Sequence, residues 1–379
     1  MSERIARAAL SRVGEPGDVR LTRLVAELGA EEVFQQLRDE QDLGGVYTDV
    51  ATRLRGLDPE RDIEDAAAKG IRLVCPGDQE WPSGLTDLRH AEPLQSRGGV
   101  PLCLWLKGPL RLDQVAARAT AVVGSRSATT YGTGVAADIA ADLGERGVAV
   151  VSGAAFGIDQ AAHRGALAAK GPTVAVLACG ADRAYPSAHR NLLDYIADVG
   201  LVVSEVPPGA APTKVRFLAR NRLIAALAQG TVVVEAAVRS GALNTANWAL
   251  RLHRVLMGVP GAVTSAPSQG VHELIRSHGA ELVTSGADVL ELVSPAGSFL
   301  SAPPRAPERL EDRLSDRERQ VLDAVPVMQP AAADSLSRTA GVGLREVETA
   351  VERLRALGLV HRTDRGWVRR RQPAEAAGG

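Results

Sequence analysis

From Thr120 onward the hydrophobic positions fall in short unbroken blocks separated by Ala-rich stretches of helical length. The blocks are Ala121–Gly124, Val148–Gly153, Thr173–Leu177, Leu201–Glu205, Thr231–Glu235 and Val255–Val259. A strand with one wet face alternates apolar and polar residues, whereas a block that is apolar throughout is covered on both faces. Six such blocks with helical segments between them predict six βα units. The expected fold class is therefore α/β, a Rossmann-like, doubly wound and mostly parallel sheet.

The flanks read differently. Residues 1–68 carry short helical patterns: Val19, Leu21, Leu24, Val25 and Leu28 recur at helical spacing before Gly29, and a Gly14–Gly17 turn precedes them. They are expected to form a small helical domain. The Rossmann-like domain is expected over 69–294. Its first part, 71–115, is broken by Pro76, Pro82, Pro93, Pro101 and Pro109 and reads as a connecting segment with two strands, in which 94–100 looks like a flexible insertion. A proline-rich linker follows at 295–312. Over 313–371, Ser315 and Glu318 make a capping-box signature, and Leu344, Val347, Val351 and Leu354 share one helix face before Gly358. Two short strands follow, Leu359–Arg362 and Trp367–Arg370. Three helices and a hairpin predict a winged helix, and 372–379 reads as a disordered tail.

A length of 379 residues favours two or three domains, and 45% hydrophobic with 23% charged residues is ordinary for a globular chain. No apolar run approaches the ~18–20 residues of a membrane helix, and Met1–Leu10 has no secretory core, so a soluble, cytoplasmic protein with no membrane partner is expected. Cys75, Cys103 and Cys179 are an odd, dispersed set that offers no metal cage. A formal net charge of -1 excludes a global field for polyanions, so any polyanion must bind a local patch. With 40 Arg against 4 Lys, individual arginines need positional arguments.

In an open α/β sheet ligands bind beyond the carboxyl ends of the strands, where strand order reverses. The residues there are small and polar. Gly124-Ser125-Arg126 follows the first block and offers close backbone approach, a hydroxyl and a guanidinium. Ser152-Gly153 leads through Phe156 and Gly157 into a helix whose N-terminus favours anions. Asp159 and His163, four apart, share that helix's face: either Asp159 caps the helix and His163 packs locally, or the imidazole faces a ligand. Arg220-Asn221-Arg222 opens another helix, and Ser240, Gly241 and Asn244 repeat the small polar theme.

Several chemistries lose support. Gly132-Thr-Gly134-Val-Ala-Ala137 fits a dinucleotide fingerprint but begins beyond the strand end, and the position about twenty residues on is Ser152 rather than an acid. No P-loop, nucleophile elbow or zinc-protease signature is present, and no cofactor is expected.

Ala121-Val-Val-Gly-Ser-Arg126 with Tyr131-Gly132, Val151-Ser-Gly153 with Gly157-Ile-Asp159 and Ala162-His163, Tyr185-Pro186, Ser204-Glu205, Arg220-Asn-Arg222, Ser240-Gly241 and Thr245-Ala246 come in the order and spacing of the DprA/Smf family, which this chain resembles. Its Ala- and Arg-rich texture looks actinobacterial. The resemblance implies an N-terminal SAM- or helix-hairpin-helix-like domain. It also implies a noncatalytic Rossmann-like domain that binds single-stranded DNA, as a homodimer, and helps load a RecA-type recombinase in natural transformation. Gly124, Ser125 and Arg126 match the family's phosphate-contacting segment, and Arg190 lies near a position that relatives often make basic, with Ser187 the alternative occupant of that position. Two departures stand out: Phe156 replaces an arginine, and Leu218 replaces the proline after Phe217. Two other readings stay open. One is an enzyme cleaving an N-glycosidic bond with Glu205 or Glu235, although its usual P-G-G-x-G-T string is absent; the other is a nucleotide sensor.

Overall fold

The computed structural model describes residues 1–39, 54, 56–299 and 310–370. The chain divides into two compact units, Met1–Ser301 and Ala302–Gly379. In the first, nine strands form one sheet in the order β1-β2-β6-β5-β4-β3-β7-β8-β9. They are β1 (Ile71–Val74), β2 (Leu104–Lys107), β3 (Ala119–Val123), β4 (Ala149–Ser152), β5 (Thr173–Leu177), β6 (Leu201–Ser204), β7 (Gly230–Val233), β8 (Val255–Gly258) and β9 (Glu281–Leu282). From β6 to β9 across the sheet all pairs are parallel, while β1 and β2 close the β6 edge antiparallel.

The six expected blocks are β3 to β8. Each is buried nearly end to end because helices cover both faces: on β3, Ala121 and Val123 join the layer containing Trp248, and Val122 joins the layer containing Ile139 and Leu143. β9 escapes the hydrophobic pattern because its two residues are exposed at the edge. The 71–115 segment supplies two strands of the sheet, with Trp105 fully buried. Within it, Leu94 and Arg97 exchange backbone hydrogen bonds and Gly98 N donates to Gly17 O at 3.0 Å, so 94–99 is pinned rather than a free insertion.

The N-terminal helices, Glu3–Val13, Val19–Leu28, Ala30–Arg38 and Pro59–Ala68, belong to the same compact unit as the sheet. Leu10, Val13, Leu21, Phe34 and Leu37 form their own core, and Ala8 joins the cluster containing Trp105. Gly29 ends the second helix with φ +86°, a conformation that favours glycine. All three cysteines are free and buried, and burial pushes the Cys75 and Cys179 thiols up to about 11.

The second unit has helices Asp316–Ala324, Ala333–Ala340 and Leu344–Ala356, then an antiparallel ribbon of β10 (Val360–Thr363) and β11 (Gly366–Arg369). The Ser315–Glu318 capping box forms, and Val321, Leu336, Val347, Leu354 and Trp367 make the core. The proline-rich stretch 301–307 and the 372–379 tail lie outside the described residues. Among the described residues no helix is long and apolar enough to cross a membrane.

Candidate functional site

The chain runs outward from β3 through β4, β5 and β6, then returns to build β7, β8 and β9 on the other side of β3. The reversal opens a crevice beyond the ends of β3 and β7. There Ser125 N donates to Glu235 O at 2.7 Å, and Val234 N to Val123 O at 3.1 Å. Gly124 allows this approach, since a Cβ would lie 2.5 Å from Ile158 Cγ1 and 2.9 Å from Glu235 O. The crevice holds about 710 Å³. Its lining includes Gly124 to Ser127, Ala155, Asp159, Tyr185, Pro212 to Lys214, Phe217, Arg220, Asn221 and Arg239 to Ala242.

Two cations meet over one ring. The Arg126 guanidinium carbon lies 4.9 Å and that of Arg220 5.8 Å from the centre of the Phe217 ring, with Tyr185 at 5.5 Å. Arg126 is exposed, whereas Arg220 is only 6% exposed. Its Nη1 donates to Val176 O at 3.0 Å and its head lies against Gly153, where any Cβ would overlap it. Burial disfavours its charge and Asp159 supports it; burial likewise raises the Asp159 carboxyl, against the pull of Arg220. Asp159 also accepts from Ala155 N at 3.3 Å, which shapes the loop after β4.

Asn221 fixes the opposite wall. Its Nδ2 donates to Gly241 O at 3.4 Å and to Asn244 Oδ1 at 3.2 Å, tying the Ser240 loop to the Lys214–Ala226 helix. Ser240 Oγ accepts from Ala242 N at 3.3 Å. The result is an open crevice with small loops, exposed and buried guanidiniums, and an aromatic floor.

The family model of DNA recombination-mediator protein A matches residues 72–294. A curated relative from Mycobacterium tuberculosis, assigned as a DNA processing protein DprA, is 46% identical over 363 residues, covering 95% of this chain and 92% of its own. The chain belongs to the DprA/Smf family. The solved DNA processing protein A of Streptococcus pneumoniae aligns with a TM-score of 0.63 and 32% identity over 78% of this chain and 99% of that one. The Helicobacter pylori protein, whose structure was described for its single-stranded DNA binding mode, aligns with a TM-score of 0.50 and 26% identity over 58% of this chain and 94% of its own.

The crevice of this DprA/Smf member gathers Gly124, Ser125, Arg126, Arg220, Asn221, Ser240 and Gly241, with Asn244 behind Asn221. Other expected residues lie elsewhere. Ser152 is buried and donates to Val122 O at 2.7 Å. Gly153 underlies Arg220, and Gly157 holds φ +77° where a Cβ would come within 2.7 Å of Arg126 O, so both shape the loops. His163 is fully buried, with Nδ1 2.8 Å from Thr173 Oγ1. Because Thr173 donates to Val150 O, His163 is the donor in that pair. Burial and this bond, with His163 outside the crevice lining, replace the ligand-facing imidazole by local packing; the same burial, then His189 and Arg220, lowers the imidazole to about 3. Phe156 is 47% exposed and stands edge-on to His189 at 4.6 Å, outside the crevice lining, and Arg190 is exposed at the start of the Arg190–Val199 helix.

Arg222 does not face the crevice. Fully buried, it donates from both Nη atoms to Glu205 at 2.6 Å each and from Nε to Gly99 O at 3.1 Å. Glu235 accepts from Thr129 N at 2.9 Å and Thr129 Oγ1 at 2.5 Å, against Gly132 in the Thr130–Glu145 helix. Both acids invoked for glycosidic cleavage are thereby held by structural partners. Sequence reasoning passed over Ser127, Tyr185, Lys214, Phe217 and Arg239 as site residues. The available signal is Tyr185's place within the Tyr185-Pro186 string and Phe217's place three residues before Arg220-Asn-Arg222, in a chain only 3% aromatic.

Proposed function

We propose that this protein grips single-stranded DNA in the crevice beyond β3 and β7, protects the incoming strand and helps load a RecA-type recombinase in natural transformation or DNA recombination. One observation carries the reading: Arg126 and Arg220 converge over Phe217 at the open end of the sheet. A flexible polyanion is held by guanidiniums that follow its phosphates and rings on which its bases stack, with little demand for sequence. The single-strand binding attributed to the Helicobacter pylori relative supports the same assignment.

The protein acts without turnover, in the cytoplasm and as a homodimer, for which 271–283 is the proposed contact region. A light-scattering mass near one chain contradicts the dimer. The 310–370 unit is proposed as a winged helix with an auxiliary DNA contact. Its helix Leu344–Ala356 mixes acids with bases, but the ribbon presents Arg362, Arg365 and Arg370, while Arg369 pairs with Glu311. A shift assay with labelled oligothymidylate, competed by mononucleotides, tests the main reading. Polymer preference without change to the oligonucleotide is expected; equal competition by mononucleotides points to the nucleotide sensor, and base release points to the enzyme.

A further inference from the structure

The Lys214–Ala226 helix that carries Phe217 and Arg220 is braced from behind by the N-terminal turn. Arg216, one turn before Arg220, donates from Nε and Nη2 to the two carboxylate oxygens of Glu15 at 3.0 and 3.1 Å, and from Nη1 to Ala211 O at 2.7 Å. One guanidinium thus ties together the Gly14–Gly17 turn, the helix, and the turn whose Pro212 and Thr213 line the crevice. The second tie is Arg222, whose Nε donates to Gly99 O while Gly98 N donates to Gly17 O. The Glu15–Arg216 pair is partly shielded, with side chains 32% and 17% exposed, so solvent weakens it less than a free surface pair.

We propose that Glu15 is a positioning residue for the nucleic-acid grip: through Arg216 it sets the helix that holds Phe217 and Arg220, so the N-terminal helices serve DNA binding without touching DNA. The inference rests on the crevice being the single-strand site. Its sign separates it from a plain charge effect. A carboxylate near a polyanion site repels the ligand, so removing it tightens binding if charge alone matters and weakens binding if positioning matters. Arg216 does not line the crevice, so no phosphate contact is lost with Glu15.

The test uses the full chain and labelled oligothymidylate over a salt series. It compares Glu15→Ala, the charge-swapped Glu15→Arg/Arg216→Glu, and Arg126→Ala as reference, with thermal unfolding of each. Glu15→Ala is expected to weaken binding about fivefold with an unchanged salt slope and an unfolding midpoint close to that of the parent, and the swap to recover much of the loss. Unchanged or tighter binding by Glu15→Ala, while Arg126→Ala weakens it, overturns the brace and leaves the crevice reading standing. A loss accompanied by a shallower slope also overturns it, since Arg216 would then be a phosphate ligand. If both single variants bind like the parent, the crevice reading fails and the brace with it. Should Glu15→Ala not fold, Glu15→Gln, whose amide nitrogen cannot accept from Arg216 and so breaks one of the two bonds along with the ion pair, is read by the same criteria.

Discussion

Arg126 and Arg220 come from loop and helix ninety-four positions apart and finish over the same phenyl ring. They do different work. Arg126 is exposed and free to follow a phosphate; Arg220 is bonded to Val176 O and held against Gly153, so it is a fixed charge beside the ring. Arg126→Ala should therefore weaken single-strand binding and make the plot of log K against log salt shallower by ~0.7, one phosphate's share. Phe217→Ala should cost ~1–3 kcal/mol of binding with the salt slope retained, because a stacking face carries no charge, and Phe217→Trp should restore most of it. Affinities over a salt series check both, and a Phe217→Ala slope that falls like that of Arg126→Ala contradicts the division of labour. Arg220 and Arg222 look alike in the sequence. Two residues are ~200° around a helix, so one faces the crevice and the other the Glu205 carboxylate, and only the packed helix says which.

At the scale of elements, the helix Ile158–Ala168 begins where Gly157 lets the backbone pass Ser125 and Arg126, and it buries His163 beneath β4 and β5. His163 is held at about 3 against an ordinary 6.5, so between those values the unfolded chain binds the extra proton. Its share of stability is complete above pH ~6.5 and is lost as the pH falls toward 3, by up to ~1.4 kcal/mol per unit. Urea unfolding at pH 7 and pH 5 should show a larger loss for the parent than for His163→Gln, and equal losses would remove His163 from the account. The central strands β3 to β8 were legible because burial on both faces writes itself as unbroken hydrophobic blocks. β1 and β2 were legible only as strands in a connecting segment. Their place at the β6 edge depends on a partner nearly a hundred residues away, Trp105 opposite Ser204, which no local pattern records.

On the scale of the whole molecule, the two compact units have separate cores. Trp367, Val321 and Leu354 close the smaller one without help from the sheet. A fragment covering 302–379 should thus unfold as a single cooperative transition by circular dichroism, and a gradual, non-cooperative melt would show that it needs the rest of the chain. Residues 1–301 should keep the crevice intact and bind oligothymidylate; a modest loss of affinity is expected from the proposed ribbon contact, and affinity equal to that of the full chain contradicts that contact.

The residue sequence alone determined the layered α/β architecture, the reversal-point loops as the place for a ligand, and kinship with the DprA/Smf family. Each of these is written in contiguous or regularly spaced residues, through burial on both strand faces or through small residues where backbones touch. Which arginines are free, which acids are spent on structure, and that two cations converge on Phe217 were decided only by tertiary packing. Side chains of one type share one intrinsic chemistry, and it is the neighbours brought by distant segments, Glu205 and Gly99 for Arg222 or Val176 and Gly153 for Arg220, that assign each its role.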